Sequence, residues 1–174
     1  MLVGGRRHKG CLGVAATVLA VLVLVNPASA GIASSRTLMP GVERTLLQKI
    51  NAVRVRRGLR RLKASTQLRR AARFHVRQML DGGYFAHGAV WRRITSYYRP
   101  SGGVSAVGED MAWGAPRLSA KEAIRLWLAS PRHRRVILSP RWRRMGVGAL
   151  HEARARGAYG TGPVTVIVAD FGAP

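Results

Sequence analysis

The chain has 174 residues, 47% of them hydrophobic, and 30 Lys and Arg against seven Asp and Glu, for a formal charge of +23. That length and apolar share suit one folded domain and argue against a disordered chain. Its single cysteine, Cys11, rules out an internal disulfide, so the fold must rest on a packed core.

The amino terminus has three parts: the cations Arg6, Arg7 and Lys9, an uncharged 15-residue apolar run from Cys11 to Val25, and the small residues Ala28, Ser29 and Ala30 after Pro27. This is the layout of a secretory signal peptide cleaved after Ala30. The run is shorter than the roughly 20 residues that a membrane-crossing helix needs, which argues against a permanent span. Cys11 stands before the run and not at the cleavage site, which argues against a lipid anchor. Residues 1–30 are thus expected to be removed, leaving a 144-residue exported protein of charge +20, outside the cell or at its envelope. A surface so cationic suits envelope polyanions or anionic lipid. Drift in genome composition toward arginine, which supplies 26 of the cations, accounts for the charge equally well.

Residues 31–40 are small and polar and end in Pro40, which reads as a flexible leader. Val42, Leu46, Ile50 and Val53 then form one apolar helix face, with Gly58 as the stop. Ser65 caps a second helix carrying Leu68, Ala72, His75 and Met79, which ends at Gly82-Gly83. Trp91, Ile94 and Tyr98 mark a looser helical stretch. Ser119 and Glu122 form a capping box for a helix with Ala123, Ile124 and Trp127 that stops before Pro131. Met145–Leu150 and Val164–Phe171 read as the strands of a hairpin with a long loop, and a further strand is expected near Val104–Asp110. Helices followed by a hairpin imply an α+β fold.

Candidate polar centres are few, because there are only seven acidic residues and five histidines. His87, Glu109 and His133 each sit beside an element boundary among Gly, Pro or aromatic residues, where a rigid scaffold presents functional groups. Their separations of 22 and 24 residues match no local metal motif, and on spacing alone three unrelated polar residues are the plainer reading. His75, on an apolar helix face, reads as a hydrogen-bonded core histidine, and His151 as exposed. Trp113, Trp127 and Trp142 read as core or cleft wall. The arginine clusters at 54–63, 69–77 and 132–144 follow helical surfaces, and solvated faces explain them without further function.

A succession of segments changes the weight of that reading. Asn51-Ala52-Val53-Arg54 with Gly58-Leu59, Ala72-Arg73-Phe74-His75, Phe85-Ala86-His87, Gly108-Glu109-Asp110, Trp127 through Ser130-Pro131-Arg132-His133, Met145-Gly146-Val147-Gly148 and Val168-Ala169-Asp170-Phe171-Gly172 occur in this order. In that order the chain resembles the bacterial branch of the CAP superfamily (cysteine-rich secretory proteins, antigen five, pathogenesis-related proteins). The resemblance implies a CAP domain over 41–174, folded as an α-β-α sandwich with a small antiparallel sheet flanked by helices. It implies a cleft holding His87, Glu109 and His133, with Ser130 at the place of a second family glutamate, and Asp110 where the family has asparagine.

Two imidazoles and a carboxylate are the donor set of a catalytic zinc site, so His87, Glu109 and His133 are the expected metal ligands for a weakly bound Zn2+, and Glu109 is the candidate catalytic base. The same trio serves equally as a structural hydrogen-bond cluster. No nucleophile motif accompanies it. The expectation is therefore a secreted, monomeric binding protein whose ligand is a divalent metal, a lipid or other small apolar molecule, or an envelope component. The alternatives are a zinc-dependent hydrolase of wall or peptide substrates, and a polyanion-binding module. Nucleic acid is disfavoured as the physiological partner, since the motifs of known binders are absent.

Overall fold

A computed structural model describes residues 36–174, and the expected signal peptide lies outside them. Its helices are α1 (Pro40–Arg56), α2 (Thr66–Gly82), α3 (Val90–Tyr97), α4 (Ala120–Ala129) and α5 (Pro131–Ile137). Its strands are β1 (Arg36–Leu38), β2 (Lys63–Ala64), β3 (Ala106–Gly114), β4 (Arg144–Glu152) and β5 (Val164–Ala173). The strands form one sheet in the order β1-β4-β5-β3, antiparallel throughout, with the two-residue β2 added to β4 in parallel.

Side chains alternate across the central strand β5, all ten residues of which are buried. Val164, Val166 and Val168 meet Ala72, Val76 and Met79 of α2 on one face. Ile167, Ala169 and Phe171 meet Leu46 and Ile50 of α1, Trp127 of α4 and Ile137 of α5 on the other. The result is three layers, helix on sheet on helix, as the sequence implies.

Local signals explain the boundaries. Ser65 Oγ accepts from the Leu68 N–H at the start of α2, and Gly83, at φ 63°, closes it in the left-handed conformation. Both halves of the Ser119/Glu122 capping box are formed. Two expectations are corrected. Arg36–Leu38, inside the segment read as leader, is a strand paired with β4, and its Arg36 binds Asp81 and Glu152 at 2.5 and 2.6 Å. Pro131 does end α4, but it also begins α5, since a proline at the first helical position loses no hydrogen bond.

The Gly146 and Gly148 pair in β4 has a packing cause. A Cβ at Gly146 would run into the backbone of Leu68 and Arg69, and one at Gly148 into Ala72 and Arg73, so α2 lies directly on the strand. Gly146→Ala must push α2 off the sheet. It is expected to cost about 3 kcal/mol, the upper end for overpacking, read as a lower midpoint in urea unfolding.

Candidate functional site

The site lies on β3, the sheet's last strand, where Glu109 faces the α2/α3 layer. Its carboxylate is almost fully buried and both oxygens are engaged. Oε1 accepts from His87 Nδ1 at 2.8 Å, and Oε2 accepts a short hydrogen bond from the Arg93 guanidinium of α3. Directly across the ladder from Glu109 stands Asp170 of β5, itself inaccessible to solvent. Arg93 bridges the two, reaching Asp170 Oδ2 at 2.9 Å. One cation thus serves two opposed carboxyl groups. Burial pushes the Asp170 carboxyl up to about 8, and Arg93 only partly offsets this.

His87 sits in the loop between α2 and α3, with its side chain half exposed. Three contacts fix that loop. His75 Nε2, buried in α2, donates to the Ala86 carbonyl at 3.0 Å, and burial lowers its pKa. Tyr159 Oη donates to the Tyr84 carbonyl at 2.7 Å, and the Ala158 N–H to that of Gly83 at 2.8 Å. Since the carboxylate can only accept, the neutral His87 ring carries its proton on Nδ1 and leaves the Nε2 lone pair free to bind.

His133 arrives from the opposite layer. Trp127 Nε1 donates to the Met111 carbonyl at 2.9 Å, which ties α4 to β3, and α5 then starts at Pro131 with His133 in its first turn. The His133 pKa is lowered, first by burial and then by the charge of His87, so the two imidazoles lie within each other's field. Ser130, between the two helices, has extended backbone (φ −85°, ψ 122°) and caps neither helix with its side chain.

The expected three-ligand set is therefore not assembled with Glu109 as a direct ligand. Among the described residues no group of three or more His, Cys, Asp or Glu side chains is placed to hold a metal ion. The physical reason is that Arg93 and His87 already occupy the Glu109 oxygens. His75 is the buried, hydrogen-bonded histidine the sequence implies. His151 is half-buried against Thr165 Oγ1 at 3.2 Å, where exposure was expected. Trp127 and Trp142 are core, and Trp113 stands partly exposed, edge-on to Tyr159 with ring centroids 5.4 Å apart. Arg93 and Asp170 went unnoticed as site residues. A detectable signal existed for Arg93: with Val90, Ile94 and Tyr97 it shares the inward face of a helix, and a cation there demands a buried acid.

An α-β-α sandwich with a histidine pair and a buried acid at the edge of its sheet defines the class. The CAP profile, the cysteine-rich secretory protein family, matches residues 47–171, and the chain belongs to that family. It is 30% identical over 128 residues to the uncharacterized protein YkwD of Bacillus subtilis, an alignment covering 70% of this chain and 49% of that relative. The chain therefore spans about half the length of this relative. Among solved structures, a Bacillus anthracis extracellular protein containing an SCP domain superposes with a TM-score of 0.61 at 23% identity, over 78% of this chain and 41% of that one. An outer surface protein of Borrelia burgdorferi superposes with a TM-score of 0.65 at 17% identity, over 80% of this chain and 98% of that one. At these identities the two structures support the fold alone.

Arg93→Met would leave opposed carboxyls without their cation and should cost about 3–5 kcal/mol, the usual penalty for breaking a buried pair, measured by urea unfolding at pH 7. Asp110 points to the other face, fully buried, with both oxygens lacking a hydrogen-bond partner among the described residues. Burial, then the Glu109 charge, raises its carboxyl to about 8. The folded state thus holds a proton that the unfolded chain releases near pH 4, and stability from this group falls as pH rises from about 4 to 8. Asp110→Asn should remove up to about 1.4 kcal/mol per pH unit of that slope, so the mutant's advantage widens across the window. Melting curves collected from pH 4 to 8 check it.

Proposed function

We propose that this chain is an exported binding protein whose cleft is built on His87 and His133, and not a hydrolase. The carrying observation is the state of Glu109: its side chain is 1% exposed, with one oxygen on His87 and the other on Arg93, so it is placed to orient His87 and is shielded from a water it would have to deprotonate. It orients His87 from behind, the usual place of a carboxylate behind a metal-bound imidazole. Export is supported by the amino-terminal pattern and by the two structural relatives, one an extracellular and the other an outer surface protein. Among the described residues no helix is long and apolar enough to cross a membrane.

The donor chemistry fits a borderline-soft divalent ion such as Zn2+. His87 through Nε2 and His133 through a ring nitrogen would hold it, and bound there it would offer a Lewis acid to an oxygen of the ligand. Two protein donors make a weak site. Calorimetric zinc titration at pH 7 should show weak binding that His87→Ala abolishes. Ser130→Glu adds an anionic donor at the α4/α5 junction and should tighten binding about tenfold, a change of about 1.4 kcal/mol. The gain should vanish when His87→Ala is added. Binding that survives loss of His87 overturns the cleft assignment, and turnover of wall or peptide substrates that chelator stops and zinc restores overturns the non-enzymatic reading.

A further inference from the structure

The fold joins two arginine clusters that are remote in sequence. Arg54 of α1, wholly buried, donates from Nε to the Arg60 carbonyl at 3.1 Å and from one terminal nitrogen to the carbonyls of Ile137 and Ser139 at 2.6 and 2.9 Å. Asn51, one turn earlier, exchanges two hydrogen bonds with the backbone of Leu62. Pairing of β2 with β4 then sets Lys63 against Arg144. Arg56, Arg57, Arg60, Arg61 and Lys63 are exposed, and they share one pole of the molecule with the exposed Arg141 and Arg144.

Nothing neutralises this pole from within. Five of the seven acidic residues, Glu43, Glu109, Asp110, Glu152 and Asp170, are buried, and the two exposed ones, Asp81 and Glu122, lie on α2 and α4. The salt bridges of the described residues are made by Arg36, Arg73, Arg93 and two histidines, none of them from the pole. Arg143 satisfies its guanidinium on the carbonyls of Pro140 and Arg141, at 2.7 and 3.1 Å, and keeps its charge. Arg54 NH2 has no hydrogen-bond partner among the described residues, and burial, together with the charge of Arg143, lowers the Arg54 pKa. Two uncompensated guanidinium groups thus sit beneath the exposed ones and add to their field.

We infer that this pole, formed by residues 56–63 and 141–144, binds a phosphodiester polymer of the cell envelope that carries no bases. Guanidinium forks match phosphate oxygens in pairs, and a row of them suits a repeating anion. Single-stranded nucleic acid would also need aromatic faces for its bases. The pole offers none, because its nearest rings, Tyr98 and Trp142, are 1% and 6% exposed.

The test uses the protein lacking residues 1–30, with purified poly(glycerol phosphate) teichoic acid as probe. Single-stranded DNA and poly-glutamate of matched charge are the comparison ligands, each titrated over a salt series. A pole variant carries Arg57→Gln, Arg61→Gln, Arg141→Gln and Arg144→Gln. A control variant loses the same charge elsewhere through Arg77→Gln, Arg92→Gln, Arg117→Gln and Arg154→Gln, all exposed positions. With folding verified by circular dichroism, the pole variant should lose tenfold or more in affinity for the teichoic acid. Its slope of log affinity against log salt should shrink by about 3, four contacts at roughly 0.7 each. The control variant should change less than threefold. Equal losses in both variants would show a response to net charge alone and overturn the pole as a site. Equal binding of poly-glutamate would overturn the phosphodiester assignment, and tighter binding of DNA would overturn the choice of an envelope polymer.

Discussion

The guanidinium of Arg93 is what allows β3 and β5 to pair as they do. Their register sets Glu109 directly opposite Asp170, and like charges at such a pair oppose the sheet. Arg93, from a helix outside the sheet, converts that conflict into a bridge and fixes α3 over the ladder. The remaining Glu109 oxygen is then turned toward His87, so the imidazole's orientation is inherited from a core ion pair. The placement of His87 is thus an outgrowth of the sheet's own electrostatics. The arrangement still leaves one carboxyl group too many for one cation, and burial raises the Asp170 carboxyl.

The two histidines are carried by opposite layers. Gly146 and Gly148 let α2 rest on β4 with no intervening side chains, and this places His75, and through it the Ala86 carbonyl and His87, at the sheet. On the other side Trp127 hooks α4 to the outer strand, and Pro131 redirects the chain so that His133 turns inward. Each half is a local device.

Local chemistry was accordingly legible in the sequence, and long-range pairing was not. The α2 and α4 caps and the long hairpin follow from residues within a few positions of one another, and the strand expected near 104–110 runs from 106 to 114. β1 escaped notice because three residues carry no period, and its partner lies more than 100 positions away. Proline at 131 is ambiguous in isolation, since the same ring that ends one helix is well suited to begin the next. The convergence of His87, Glu109 and His133 was inferred from the family resemblance, and spacing alone offered no route to it. Nor could a resemblance in motifs reveal that Glu109 is saturated by Arg93, because that depends on a helix whose own pattern is weak.

Two buried arginines divide the electrostatics of the molecule. Arg93 lies between carboxyl groups, and its charge is absorbed inside the fold, where breaking the pair would strand an acid in the core. Arg54 lies among backbone carbonyls, which take its Nε and one terminal nitrogen and supply no counter-charge. The difference follows from the supply of acid. Of the seven acidic residues, Glu109, Asp110 and Asp170 lie on β3 and β5, and Glu43, the acid of α1, is buried and paired with Arg73. Compositional drift can raise the number of arginines, but it does not by itself bury one without a counter-ion where two surface clusters meet. The arrangement leaves this pole without a counter-charge in a domain whose acids are mostly locked inside.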